Sequence, residues 1–122
     1  GHNSHGIRYV AEQLCSLLVE RRMTHPDAQL RIVLGMVNDK DIDDVLALLP
    51  VDAVYYFTQP HTSRALSAEA MYSKWMALHP DHLASRYYEQ AQEALRLAQS
   101  EASSVDVIFV GGSNYLVGEL LT

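Results

Sequence analysis

Three short apolar runs, Leu30 to Met36, Val51 to Thr58 and Val105 to Val110, decide most of what this chain can fold into. Each is rich in β-branched or aromatic residues and none keeps a strict apolar–polar alternation, which is the pattern of a strand buried on both faces. Segments with helical spacing separate them. Buried strands alternating with amphipathic helices require right-handed crossovers, and hence a mostly parallel sheet in the middle layer of three, with helices on both faces. The class is α/β, in one domain spanning residues 1–122. No repeat, linker or low-complexity segment divides it.

The first helix is marked by Ile7, Val10, Ala11, Leu14, Leu17 and Leu18 and is closed by Thr24-His25-Pro26-Asp27. Cys15 lies within this stripe and is expected in the core as a small apolar residue. A short helix follows from Ile42 to Leu49, with Asp39 or Asp41 as cap and Pro50 as stop. Ser67 is the expected N-cap of a third helix whose apolar face is Met71, Trp75 and Leu78. Leu83 to Arg86 reads as a short strand, Ala91, Ala94, Leu95 and Ala98 as a fourth helix, and Tyr115 to Leu121 as a last helical stretch. The start, Gly1 to His5, reads as a turn following a secondary element that precedes this chain, so the chain is expected to be a fragment of a longer protein.

Fifteen acidic against nine basic residues leave a formal charge of −6 without a dense Lys/Arg run, which argues against nucleic acid as a partner. No apolar stretch approaches the ~20 residues of a membrane span. The single cysteine precludes an internal disulfide and fits a reducing cytoplasm.

Ligands of open parallel sheets bind beyond the carboxyl ends of the strands. Those ends carry Asn38-Asp39-Lys40-Asp41, Thr58-Gln59 and Gly111-Gly112-Ser113. The glycines either let the backbone approach a ligand, with helix N–H groups aimed at an anion, or answer a turn that needs positive φ. Lys40 either meets a substrate carboxylate or forms a local ion pair between its two aspartates. The four aspartates between Asp39 and Asp44 lack the Gly and Glu of an EF-hand loop and read as caps and a solvated helix face. His79 and His82, separated by Pro80, and the pair His2 and His5 lack the cysteine company of a zinc site. Ser113 lacks the Gly-x-Ser-x-Gly setting of a nucleophile and reads as a hydrogen-bond donor. Neither lysine follows a glycine, so no phosphate-binding loop of the Gly-x-x-x-x-Gly-Lys type is present.

Four blocks in order, Gly1-His2-Asn3 with Gly6-Ile7, Gly35-Met36-Val37-Asn38-Asp39-Lys40-Asp41, Arg64-Ala65-Leu66, and Gly112-Ser113-Asn114-Tyr115-Leu116-Val117-Gly118-Glu119, cover nearly the whole chain. They resemble the C-terminal domain of folylpolyglutamate synthase and dihydrofolate synthase, relatives of the muramyl ligases. The resemblance implies a Rossmann-like Mur ligase C-terminal domain in a cytoplasmic enzyme of folate and one-carbon metabolism. It also implies the reaction: a central domain outside this chain binds ATP and magnesium and phosphorylates a folate carboxylate, and the amine of glutamate attacks the acyl phosphate.

By the same resemblance His2 and Asn3 reach the nucleotide, and Lys40, Ser113 and His2 hold the incoming glutamate. No residue of this chain is implied as catalytic or as a metal ligand. The implied partners are glutamate, folate or dihydropteroate, and the protein's own N-terminal ATPase domain. The family's acidic residue on the nucleotide ribose and its preceding strand would lie before Gly1; proline is usual at Ser4 and an apolar side chain at Asn114. Without the phosphate loop and the folate-activating groups the isolated chain is expected to be inactive, and with a sheet edge or an apolar groove left uncovered by the missing strand it is expected to self-associate. The competing reading is a stand-alone α/β module that binds a small anion at the Gly-Gly-Ser turn without catalysis.

Overall fold

Four parallel strands, β1 (Leu30–Leu34), β2 (Val54–Phe57), β3 (Ser85–Tyr87) and β4 (Val107–Gly111), form one sheet in the order β3-β2-β1-β4. The computed structural model describes residues 2–38, 41–112 and 120, with side chains from Gly6 onward. In the central register Ile32 lies opposite Tyr55 on one side and Phe109 on the other. The expected parallel pairing of the three apolar runs is present, each run contributing a strand somewhat shorter than itself. A weaker signal at Leu83 to Arg86 becomes the three-residue edge strand β3.

The central strands β1 and β2 are largely buried on both sides because helices cover both. Leu30, Ile32 and Leu34 of β1 and Tyr55 and Phe57 of β2 join Leu14 and Leu18 of α1 (His2–Thr24), Val45 and Leu46 of α2 (Ile42–Leu48) and Met71 and Trp75 of α3 (Ala68–Leu78) in one cluster. The intervening residues Val33 and Tyr56 turn to the other face and pack on Ala94 and Ala98 of α4 (Ala91–Glu101). Each fully buried aliphatic or aromatic side chain contributes roughly 1.5 to 3 kcal/mol relative to exposure. Trp75 anchors the larger cluster, with its ring centroid 4.3 Å from that of Tyr55 and 5.9 Å from that of Phe57.

Two expectations for α1 need correction. Segment 1–5, expected as a turn, has helical backbone from His2 onward; no proline interrupts it, and Gly6 meets no neighbour that would oppose a helix. Cys15 is exposed, not in the core. The buried line of α1 is Ala11, Leu14 and Leu18, and at 3.6 residues per turn Cys15 is rotated about 100° from Leu14 toward solvent. Leu17, 39% exposed, sits at the margin of the same stripe, as does Leu78 of α3 at 47%. The helical stretch expected over Tyr115 to Leu121 lies outside the described residues except for Leu120, which is helical and packs on the α4 face. No described helix is long and apolar enough to cross a membrane.

Candidate functional site

The strand order carries the chemistry to a particular place. From β1 the chain moves through α2 and α3 to β2 and β3 on one side, then returns by α4 to β4 on the other side of β1. The loop after β1 leads to the α2 face, whereas Leu120, beyond β4, packs on the α4 face. Neighbouring strands whose exits diverge in this way leave a crevice at their carboxyl ends, the usual ligand position of an open α/β sheet.

The floor of that crevice is tightly built. Gly35 N–H donates to Gly111 O at 3.2 Å, and Thr58 N–H donates to Leu34 O at 2.8 Å, tying three strand ends together. Gly112 has φ of +104°, and a Cβ placed there would lie 2.6 Å from Gly35 O and 2.9 Å from Leu34 Cδ1. Of the two readings of the glycine pair, Gly112 meets the turn requirement, with a second cause in its close approach to the β1 loop.

The loop after β2 is sewn to the loop after β1. Asn38 N–H donates to Arg64 O at 2.7 Å and Leu66 N–H to Met36 O at 2.9 Å, with Val37 and Ala65 in an isolated antiparallel bridge. Gln59 Oε1 accepts from Ala68 N–H at 3.0 Å, and Ser67 Oγ accepts from Ala70 N–H at 3.1 Å, so the same loop also caps α3 as expected. Asp41 occupies the N-cap position of α2 without a side-chain bond to its first turn. Sequence alone gave no sign of the pairing between these two loops, because an isolated bridge leaves no periodicity.

Of the residues singled out for binding, Lys40 and Ser113 lie outside the described residues. His2 and Asn3 lie on the first turn of α1. This helix precedes β1 and packs with it in the larger core cluster. The described residues flanking Lys40 and Ser113, namely Asn38, Asp41 and Gly112, belong to the loops that follow β1 and β4. His79 and His82 have structural roles: His79 packs on Trp75 with ring centroids 4.4 Å apart, and His82 Nε2 lies 3.0 Å from Val51 O and 3.1 Å from Ala53 O. They line a cavity of about 650 Å³ at the amino ends of β2 and β3, at the opposite end of the sheet from the crevice. Asp43 pairs with Lys74 at 3.1 Å on the surface.

The class so defined is an open parallel α/β domain with a crevice at the carboxyl ends of β1 and β4. A family model described as Mur ligase, glutamate ligase domain, matches residues 1–114, and the chain belongs to that family. Among solved structures it is similar to a bifunctional folylpolyglutamate synthase/dihydrofolate synthase from Yersinia pestis complexed with AMPPNP and Mn ion. The identity is 26% and the TM-score 0.75, covering 99% of this chain and 26% of that one. It is also similar to a Mycobacterium tuberculosis folylpolyglutamate synthase complexed with ADP and AMPPCP, at 28% identity and a TM-score of 0.71, covering 97% of this chain and 27% of that one. Escherichia coli FolC in complex with DHPP and ADP shares the fold, with 21% identity, a TM-score of 0.76, and coverage of 99% and 26%. The chain thus spans about a quarter of the length of these structures. A comparison with curated protein sequences gives no match.

Proposed function

We propose that this chain is the C-terminal domain of an ATP-dependent ligase that adds glutamate to folate or dihydropteroate. The observation that carries the reading is the junction of Gly112 with Gly35, which ties together the backbones leading into the two blocks that contain Lys40 and Ser113. Family membership and the likeness to folate ligases support the choice of substrate class.

In this reading another part of the protein binds ATP and magnesium and converts a folate carboxylate to an acyl phosphate, whose phosphate leaves when the amine of glutamate attacks. Magnesium, like ATP, belongs in this reading to that other part. Lys40 supplies an ammonium, and Ser113 a hydroxyl donor, to a carboxylate of the incoming glutamate. His2, at the start of α1, completes the amino-acid site, and with Asn3 it reaches the nucleotide. Fixing the nucleophile beside the acyl phosphate converts a bimolecular step into an effectively unimolecular one. A cytoplasmic location goes with this substrate.

Incubating the complete protein with ATP, labelled L-glutamate and either dihydropteroate or a reduced folate tests the proposal. ATP-dependent transfer of label to one or both acceptors is the expected result, while residues 1–122 alone transfer none. Failure with every pterin acceptor, alongside transfer to a different carboxylate, would overturn the assignment.

A further inference from the structure

The cavity of about 650 Å³ at the amino ends of β2 and β3 takes no part in the proposed reaction, and its size suits a small organic ligand. We propose that it binds an organic ammonium, with the apolar body of the ligand against Val51, Leu78, Pro80 and Leu83 and the charged head beside Asp81 and the carboxyl end of α3. The apolar part of the lining faces solvent, with Val51 51% and Leu83 94% exposed. Large apolar side chains gathered round one concavity mark a binding surface, whereas scattered ones do not.

The charge of the lining selects the head group. It contains Asp52 and Asp81 and no lysine or arginine. Asp52 is satisfied by Arg22, whereas Asp81 is exposed and pairs with no described cation. α3 ends at the same place: Leu78 is its last residue and His79 its C-cap, and its last turn carries no basic residue. The carbonyl end of a helix carries partial negative charge, which α1 answers with Arg21 and Arg22 and α3 leaves unanswered. A carboxylate beside such a helix end favours a positive group and opposes an anion. The walls are fixed in advance. His82 Nε2 lies 3.0 Å from Val51 O and 3.1 Å from Ala53 O, which ties the loop before β3 to the segment before β2, and His82 N–H donates to His79 O at 3.0 Å. A pocket braced in this way loses little freedom when a ligand enters.

Calorimetry on the complete protein with three matched probes tests this: the cation tryptamine, the neutral tryptophol and the anion indole-3-propionate, each at millimolar concentration. Tryptamine should bind about tenfold more tightly than tryptophol, with indole-3-propionate the weakest. Asp81→Asn should bring tryptamine to within about twofold of tryptophol, and Asp81→Glu should keep most of the preference. Leu83→Ser, at a side chain too exposed to matter for folding, should weaken tryptamine and tryptophol alike by about threefold or more. Saturating glutamate and ATP should not displace tryptamine, and Asp81→Asn should leave glutamate ligation unchanged, because the crevice lies at the other end of the sheet. The proposal is overturned by no binding of tryptamine, by equal binding of the three probes, or by tryptamine binding that ignores both Asp81→Asn and Leu83→Ser. Displacement by glutamate or ATP would overturn it too, by placing the probe in the crevice.

Discussion

Gly112 shows how one residue fixes the geometry of the crevice. Its φ of +104° lies where L side chains are strained, and the carbonyl that a Cβ would meet at 2.6 Å belongs to backbone that cannot rotate away. Gly112→Ala should therefore cost roughly 1 to 3 kcal/mol, read as a lower midpoint in urea unfolding; an unchanged midpoint would mean that the junction yields easily. Asp106 fixes the other end of β4. Its carboxylate, 3% exposed, accepts from Gln29 N–H at 2.9 Å, Ser103 N–H at 3.0 Å and Arg31 Nε at 2.9 Å. Burial alone would raise this carboxyl, but the donated hydrogen bonds outweigh burial and hold it below the usual carboxylate range. A carboxyl lowered in the fold contributes stability that is complete above its unfolded value, about 3.9, and is lost as pH falls through the folded value. Asp106→Asn should cost about 1.5 to 3 kcal/mol at pH 7, and the gap from the unmodified protein should shrink below about pH 4. Urea unfolding at both pH values checks this, and a gap independent of pH would contradict it. The positive-φ turn at the glycine pair was legible in sequence, but the Asp106 network was not, since Asp106 and Arg31 are 75 positions apart.

At the scale of elements, legibility followed periodicity. The stripes at Met71 and Trp75, and at Ala91, Ala94 and Ala98, placed α3 and α4 because their spacing matches one helix face. Ser67 was legible as a cap because its hydroxyl precedes the apolar run by the right interval. Replacing it by Ala should cost about 1 kcal/mol, measurable as a fall in thermal midpoint; no fall would mean that Gln59 Oε1, bonded to Ala68 N–H, suffices for that helix end. Cys15 was misplaced because one position on a helix separates core from solvent, and a stripe of six apolar residues is wider than the face that packs. The helical start of α1 was missed because polar residues carry no periodic signal. Its far end is held by Arg21, whose guanidinium donates to Val105 O at 2.8 Å, and by Arg22, which donates to Ala28 O at 2.8 Å, both cations at the negative end of the helix dipole.

For the whole molecule, buried runs established parallel strands and two covered faces, yet nothing in them said that β4 lies beside β1 while β3 lies at the far edge. That order is a tertiary outcome, and it creates the crevice: the same strands in order of sequence would separate the loops after β1 and β4. The strand-end rule needs only direction and so points to Lys40 and Ser113, both of which lie outside the described residues. It also reached the loop after β2 at Thr58-Gln59, but not the backbone pairing of Arg64 and Leu66 with Asn38 and Met36. In the proposed function the crevice between β1 and β4 holds the carboxylate of glutamate, and steady-state kinetics of Lys40→Ala in the complete enzyme, varying glutamate and ATP separately, tests this most directly. A hydrogen-bonded ion pair of about 1.5 to 3 kcal/mol corresponds to a loss of about 10-fold to 150-fold in kcat/KM for glutamate, with the response to ATP nearly unchanged. An unaltered response to glutamate, or an equal loss for both substrates, would contradict the claim.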